Sequence, residues 1–241
     1  MNAVLRAELL RLRTVRAPYL MVLVVLVAIV TNAIPLGNAH GLRPGELTSN
    51  LRGLLQIATF FAGISAALGV GAAFQRGEVA VTYTAHPRRA FVATGHSIAY
   101  AGIGAVLAAL GAAVATAIML PLAAGNDVAS GLSGLRLTSM IAATAVCGAI
   151  FGAIGALVGT ALRNSTTAVG AMVAVQFLDT FVSQAGSAGR TIGAYLPVHL
   201  VGSATGAAGP VSAPAAIGLL LLYVAGLGAL VRRLALYRDL T

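Results

Sequence analysis

Long stretches without a charged residue constrain the fold of this chain more than any other feature. No charge occurs between Arg16 and Arg43, or between Arg52 and Arg76. Apolar runs of about 20 residues are long enough to cross a bilayer as helices. The chain is 59% hydrophobic and 9% charged, whereas soluble domains are about 45–50% apolar and about 25% charged. The sequence therefore predicts an all-α membrane protein.

Charged residues divide the sequence into six predicted membrane spans. These lie at about 17–37, 53–74, 93–122, 137–162, 166–184 and 212–234. No connecting segment has room for a nucleotide-binding fold, whose βαβ units need roughly 30 residues each, so residues 1–241 are expected to form one transmembrane domain. The basic segment 1–16 is predicted to be a helix in the headgroup layer, where its arginines meet lipid phosphates; they are Arg6, Arg11, Arg13 and Arg16.

The distribution of arginine predicts the orientation of the spans. All fifteen basic residues are arginine, and an even number of spans places both termini on one side. Short cytoplasmic loops carry an excess of basic residues, so the arginine-rich side is expected to be cytoplasmic. That side holds Arg6, Arg11, Arg13, Arg16, Arg76, Arg88, Arg89, Arg163, Arg232, Arg233 and Arg238, and the other holds Arg43, Arg52, Arg136 and Arg190.

A charged segment, "FQRGEVAVTYTAHPRRAF" at 74–91, interrupts the apolar runs on the predicted cytoplasmic side. Its "VAVTYT" stretch is β-branched and alternating, as in a strand, but no sheet partner is predicted in this chain. Two interpretations stay open. Arg88 and Arg89 anchor the third span at the membrane boundary, or the segment contacts another protein.

Polar side chains recur at helical spacing in the fifth span. Gln176, Asp179, Thr180 and Ser183 share one face, and an ionisable residue inside a span is by default a candidate functional residue. The second span carries a matching polar edge, so the two helices are candidates to line a passage. Alternatively, Asp179 lies at the outer boundary in contact with water. The edge of the second span consists of Gln56 and Thr59, followed by Phe60.

Other chemistries have little support in the sequence. There is no Walker motif, so the chain is not expected to bind ATP through one. No His, Cys or acidic cluster has metal-ligand spacing, and the single cysteine, Cys147, lies in an apolar run. Ser65 in "GISA" is similar to the serine motif of intramembrane proteases, but no histidine is predicted at its depth. No catalytic residue is therefore assigned.

Three stretches resemble the type-2 ABC exporter permeases, the six-helix membrane subunits of ATP-driven exporters. The first is the basic "RAELLRLRTVRAPYL" before the first span. The second is "FQRGEVAVTYTAHPRRAFVATGH", similar to the family's glycine, threonine-rich stretch and Pro-Arg-Arg before the third span. The third is "GRTIGAYLPVHLVGSATGAAGP" before the last span. The likeness covers the layout of essentially the whole chain.

The resemblance implies a bacterial plasma-membrane subunit that exports a hydrophobic or amphipathic drug, antibiotic or peptide. It implies a permease dimer, most often a homodimer, and a separate ATPase partner that binds ATP and Mg²⁺ and hydrolyses the ATP. The outer segment before the last span would form short re-entrant helices, and spans two and five would line the pathway. The segment between spans two and three would contain a coupling helix that contacts the ATPase through Arg76, Gly77, Glu78, Thr82, Tyr83, Thr84, Pro87, Arg88 and Arg89.

Other functions fit a small six-helix membrane protein as well. One is the substrate-capture component of an importer, which would bind its ligand in an outward-facing pocket of an isolated monomer. The others are an intramembrane serine protease using Ser65 and a non-catalytic assembly protein. Co-purification of an ATPase would separate the exporter permease from the protease and from the assembly protein.

Overall fold

A computed structural model describes residues 17–37, 44–79, 89–125 and 132–237, and within these ranges every regular element is a helix. The expected all-α class is confirmed. Long apolar helices dominate because charge-free runs of Ala, Leu, Val and Gly bond their backbone groups internally, as lipid requires. The helices are α1 (Ala17–Gly37), α2 (Pro44–Gln75), α3 (Arg89–Gly125), α4 (Gly134–Leu162), α5 (Ser165–Gln184), α6 (Gly186–Gly193), α7 (Pro197–Ala204) and α8 (Ala213–Tyr237).

Among the described residues, five helices are long and apolar enough to cross a membrane, which indicates a membrane protein. They are α2, α3, α4, α5 and α8. Helix α1 contributes a shorter apolar stretch, Leu20–Leu36. Helix lengths differ widely, since α2 has 32 residues, α3 has 37 and α5 has 20.

Within the described ranges, α4 and α5 are connected by a short capped turn. Only Arg163 and Asn164 separate α4 from α5: Arg163 adopts the left-handed conformation, φ 53°, and its N–H donates to Gly159 O at 2.9 Å. Asn164 then caps α5 by accepting a hydrogen bond from Thr167 N at 3.1 Å. At the end of α2, Gly77 has φ 73° and donates to Phe74 O. Glycine tolerates this conformation without the penalty a Cβ would bring.

Helix α4 is central and lies against α2 and α3 through glycine. A Cβ on Gly152 would overlap Tyr100 O of α3, and a Cβ on Gly155 would overlap Gly63 O of α2. Small residues let membrane helices approach this closely. The two GxxxG pairs of "CGAIFGAIGALVG" therefore serve packing within the chain. Cys147, at the start of this stretch, is fully buried.

The two ends of the bundle carry different groups. The end where α4 meets α5, the Arg163 end, brings Gln75 and Ser165 together, with Ser165 Oγ donating to Gln75 Oε1 at 2.6 Å. At the opposite end, the His199 end, the two short helices α6 and α7 fold onto the bundle. Helix α7 is largely buried, with Leu200 and Val201 in one core cluster with Phe151, Met172 and Leu220. A second cluster packs α1 against α2 and α3.

Candidate functional site

Helix α7 makes polar contacts with both α2 and α5 at the His199 end. Its residue His199 bonds to Asp179 of α5, and the Val198 carbonyl accepts from Gln56 of α2. Arg52, one turn before Gln56, donates from its guanidinium to the carbonyl of Gly206. We call Arg52, Gln56, Asp179 and His199 the α7 anchor. These four side chains join three segments that are far apart in the sequence.

The Asp179 carboxylate is the most buried part of the α7 anchor. Helix α5 buries three of its residues, Ala168, Met172 and Asp179. The Asp179 side chain is 2% exposed, while that of His199 is 46% exposed. His199 Nδ1 lies 3.0 Å from one carboxylate oxygen and 3.1 Å from the other. A carboxylate accepts only, so Nδ1 must carry the proton in this contact. Separating the pair without hydrating or protonating Asp179 would leave a buried, unpaired charge, which is costly.

Where α2 contributes to the α7 anchor, its side chains come close to the backbone of α7 and of the turn after it. Gln56 Nε2 donates to Val198 O at 3.4 Å, a long contact. A Cβ built on Gly202 would lie 2.8 Å from Gln56 Nε2, so glycine leaves room for this amide. Gly206, the acceptor for Arg52, has φ 88°, and the turn it forms lets Ala207 N donate to Gly202 O at 2.9 Å. This pattern ends α7 in a Schellman-type cap.

Three of the other four residues predicted to line a passage bond within their own helix or pack on the core. Thr59 is fully buried and donates to Leu55 O at 2.9 Å. Phe60 packs on the core beside Phe61, with ring centroids 6.4 Å apart. Thr180 is exposed and donates to Gln176 O at 3.1 Å. Gln176 Oε1 is buried and has no hydrogen-bond partner within the described chain.

At the His199 end, α7 contacts both of the helices that the sequence predicts to line a passage, and the passage itself stays a prediction. Gln56 and Asp179 were expected to face a space between α2 and α5, and both bind α7 there. Towards the other end, α2 and α5 contact each other directly, because a Cβ on Gly71 would lie 2.7 Å from Ser165 N. Helices α2 and α5 therefore approach at the Arg163 end and hold α7 at the His199 end.

Part of the predicted ATPase-contact segment is described. Arg76 Nε donates to Glu78 Oε1, and both side chains are exposed, at 49% and 40%. Gly77 forms the turn between them. Arg89 is the first residue of α3, and only its backbone is described. The other predicted contacts, Thr82, Tyr83, Thr84, Pro87 and Arg88, and the interface arginines Arg6, Arg11, Arg13 and Arg16, lie outside the described residues.

Sequence reasoning missed His199 and Arg52 as partners in this site. The sequence places both residues on the outer side, His199 in the segment between the last two spans and Arg52 just before the second span. One signal pointed to His199: an acid within a span needs a partner, and His199 and Arg190 are the basic candidates in the following segment. Arg52 carried no such signal, since its acceptor is a backbone carbonyl 154 residues away.

No known family model matches the sequence, and no curated protein does either.

Proposed function

We propose that the chain is the membrane permease subunit of an ATP-binding-cassette exporter. It works as a dimer with separate ATPase subunits and moves a hydrophobic or amphipathic substrate out of the cell. The observation that carries the proposal is the pair of short helices, α6 and α7, folded onto the bundle between α5 and α8. The sequence resemblance implies short re-entrant helices at this place in the chain.

In this proposal α1 is the sixth span and the Arg163 end faces the cytoplasm. A helix of 21 residues is about 30 Å long, close to the thickness of a bilayer core. The Arg163 end carries Arg76, Arg163, Arg232 and Arg233, and the opposite end carries Arg52, Arg136 and Arg190. This bias agrees with the positive-inside rule.

The α7 anchor supplies a mechanism for alternating access. In this proposal, the contacts of α7 with Gln56 and Asp179 correspond to a state closed on the outer side. Opening requires α7 to leave Gln56 or Asp179, and the exposed face of His199 lets water reach the Asp179 carboxylate as they separate. ATP binding to the partner subunits provides the differential affinity that shifts the two states. The substrate would pass where α7 had been.

The Arg76–Glu78 pair lies at the opposite end of α2 from the α7 anchor. A force applied to Gly77 and Glu78 by an ATPase would reach α2 across the turn at Gly77, and α2 is continuous from Pro44 to Gln75. Helix α2 is thus the proposed connection between the ATPase contact and the outer closure.

The proposal is tested by isolating the protein in mild detergent from its native membrane. A nucleotide-binding ATPase should co-purify, and its hydrolysis should rise when an amphipathic drug is added. The matched control is the same purification after charge reversal at Glu78, which should lose the ATPase. A monomer that retains a small ligand and no ATPase would overturn the proposal in favour of substrate capture.

A further inference from the structure

A cleft opens at the Arg163 end between α3, α4 and α8, away from the α7 anchor. Its volume is about 650 Å³. Apolar side chains form its floor, including Leu157 of α4 and Val224 of α8. Polar side chains form its rim: Thr94 and Ser97 from α3, and Arg232 and Arg233 from α8. The cleft therefore has one apolar part and one basic part.

The two parts lie at different depths along the helices. Arg232 and Arg233 follow a run without charged residues from Thr191 to Val231, and arginines at the end of such a run are expected at the membrane boundary. Val224 precedes Arg232 by eight residues, which is about 12 Å along a helix. Between them, a Cβ built on Gly228 would meet no heavy atom within 4 Å. The apolar floor thus extends from the arginines into the depth of the membrane, with open space at Gly228.

The two arginines lack an acidic partner among the described residues. The described acids are Glu46, Glu78 and Asp179, and none of them forms an ion pair with Arg232 or Arg233. Both arginines are exposed at the rim. Two adjacent guanidinium groups at a membrane boundary attract anionic headgroups, and guanidinium binds phosphate oxygens in a bidentate manner.

We infer that this cleft binds an anionic phospholipid. The guanidinium groups of Arg232 and Arg233 hold the phosphate, and one acyl chain lies along Gly228 and Val224 towards Leu157. Free phosphate would leave the apolar floor unfilled, and a zwitterionic lipid would leave the excess positive charge uncompensated. The inference is independent of the exporter function, because it rests on the cleft alone.

Native mass spectrometry of the delipidated protein in detergent tests the inference. The probes are dioleoylphosphatidylglycerol, dioleoylphosphatidylcholine and glycerol phosphate, each titrated alone. We expect phosphatidylglycerol to bind more tightly than phosphatidylcholine, with each arginine contributing about fivefold to the preference. Arg232→Gln and Arg233→Gln should each lose that factor, while Arg190→Gln, an exposed arginine at the other end, should retain the preference.

A second pair of variants tests the acyl-chain part of the cleft. Gly228→Leu fills the open space and should weaken phosphatidylglycerol binding at least as strongly as loss of one arginine. Gly218→Leu is the matched control, because Gly218 lies on the same helix, also has open space at its Cβ position and does not line the cleft. Binding of glycerol phosphate as tight as that of the lipid, or equal effects of the two leucine variants, would overturn the inference.

Discussion

A single carboxylate, Asp179, illustrates how a polar side chain inside an apolar helix is used. It is almost fully buried and bonds to the half-exposed His199. Replacing His199 with Ala removes the donor and leaves the charge, whereas replacing Asp179 with Asn removes the charge and leaves an acceptor. The two substitutions should therefore lower the free energy of unfolding by different amounts. The double variant then measures how strongly the two side chains interact.

We expect His199→Ala to lower the free energy of unfolding by about 1–3 kcal/mol, the cost of an unsatisfied buried acceptor. Adding Asp179→Asn to His199→Ala should recover part of that loss, because the uncompensated charge is gone. Thermal unfolding in detergent measures both, with exposed Thr180→Ala as control. A double variant destabilised by at least the sum of the two single-variant effects would contradict a direct interaction between the two side chains.

At the scale of elements, glycine in α4 decides how closely three helices pack. Gly155→Ala places a methyl group against the Gly63 carbonyl oxygen of α2, and overpacking of this kind costs about 1–3 kcal/mol. Gly218→Ala meets open space in α8 and gains up to about 1 kcal/mol of helix propensity. The melting temperature should fall for the first variant and stay equal or rise for the second. If both variants change the melting temperature by the same amount, α4 tolerates separation from α2.

Helix α7 is the element whose movement the proposed transport cycle requires. Joining Asp179→Cys to His199→Cys with a short bifunctional thiol reagent should abolish transport, and cleavage of the linker should restore it. Cys147 is replaced with Ala in both proteins so that only the introduced thiols can react, and exchange of the larger His199 ring for cysteine gives the reagent access to position 179. Asp179→Cys alone, treated in the same way, is the control. Full transport by the cross-linked protein would exclude α7 as the moving closure.

At the scale of the whole molecule, the proposed function requires an ATPase contact at the Arg163 end to change the position of α7 at the His199 end. Glu78→Arg disrupts an exposed ion pair, which is worth little to stability, so the melting temperature should hardly change. Transport-linked ATP hydrolysis should nevertheless fall severalfold if this segment contacts the ATPase. Arg190→Glu reverses an exposed charge at the other end and should leave hydrolysis intact. Normal coupling in Glu78→Arg would contradict the proposed contact.

The sequence predicted the all-helical class because charge-free runs longer than a bilayer leave few alternatives. It placed the start of the second span at 53, whereas α2 begins at Pro44. Proline suits the first helical position, and Glu46 in the first turn favours helix there, so the helix extends beyond its apolar run. The α7 anchor escaped prediction because periodicity describes one helix at a time, whereas Arg52 and Gln56 donate to backbone carbonyls 154 and 142 residues away.

The unequal lengths of the helices have a consequence for the surrounding lipid. Helix α5, with 20 residues, is about 30 Å long and matches an average bilayer, while α2, with 32 residues, is about 48 Å long. A uniform bilayer core therefore cannot enclose the full length of both helices, so α2 must tilt or extend the polar residues before its apolar run beyond the core. Thickening the bilayer strains α5 first, and α5 carries the acid that holds α7. Acyl-chain length should thus shift the position of α7 even when lipid charge and protein sequence stay constant.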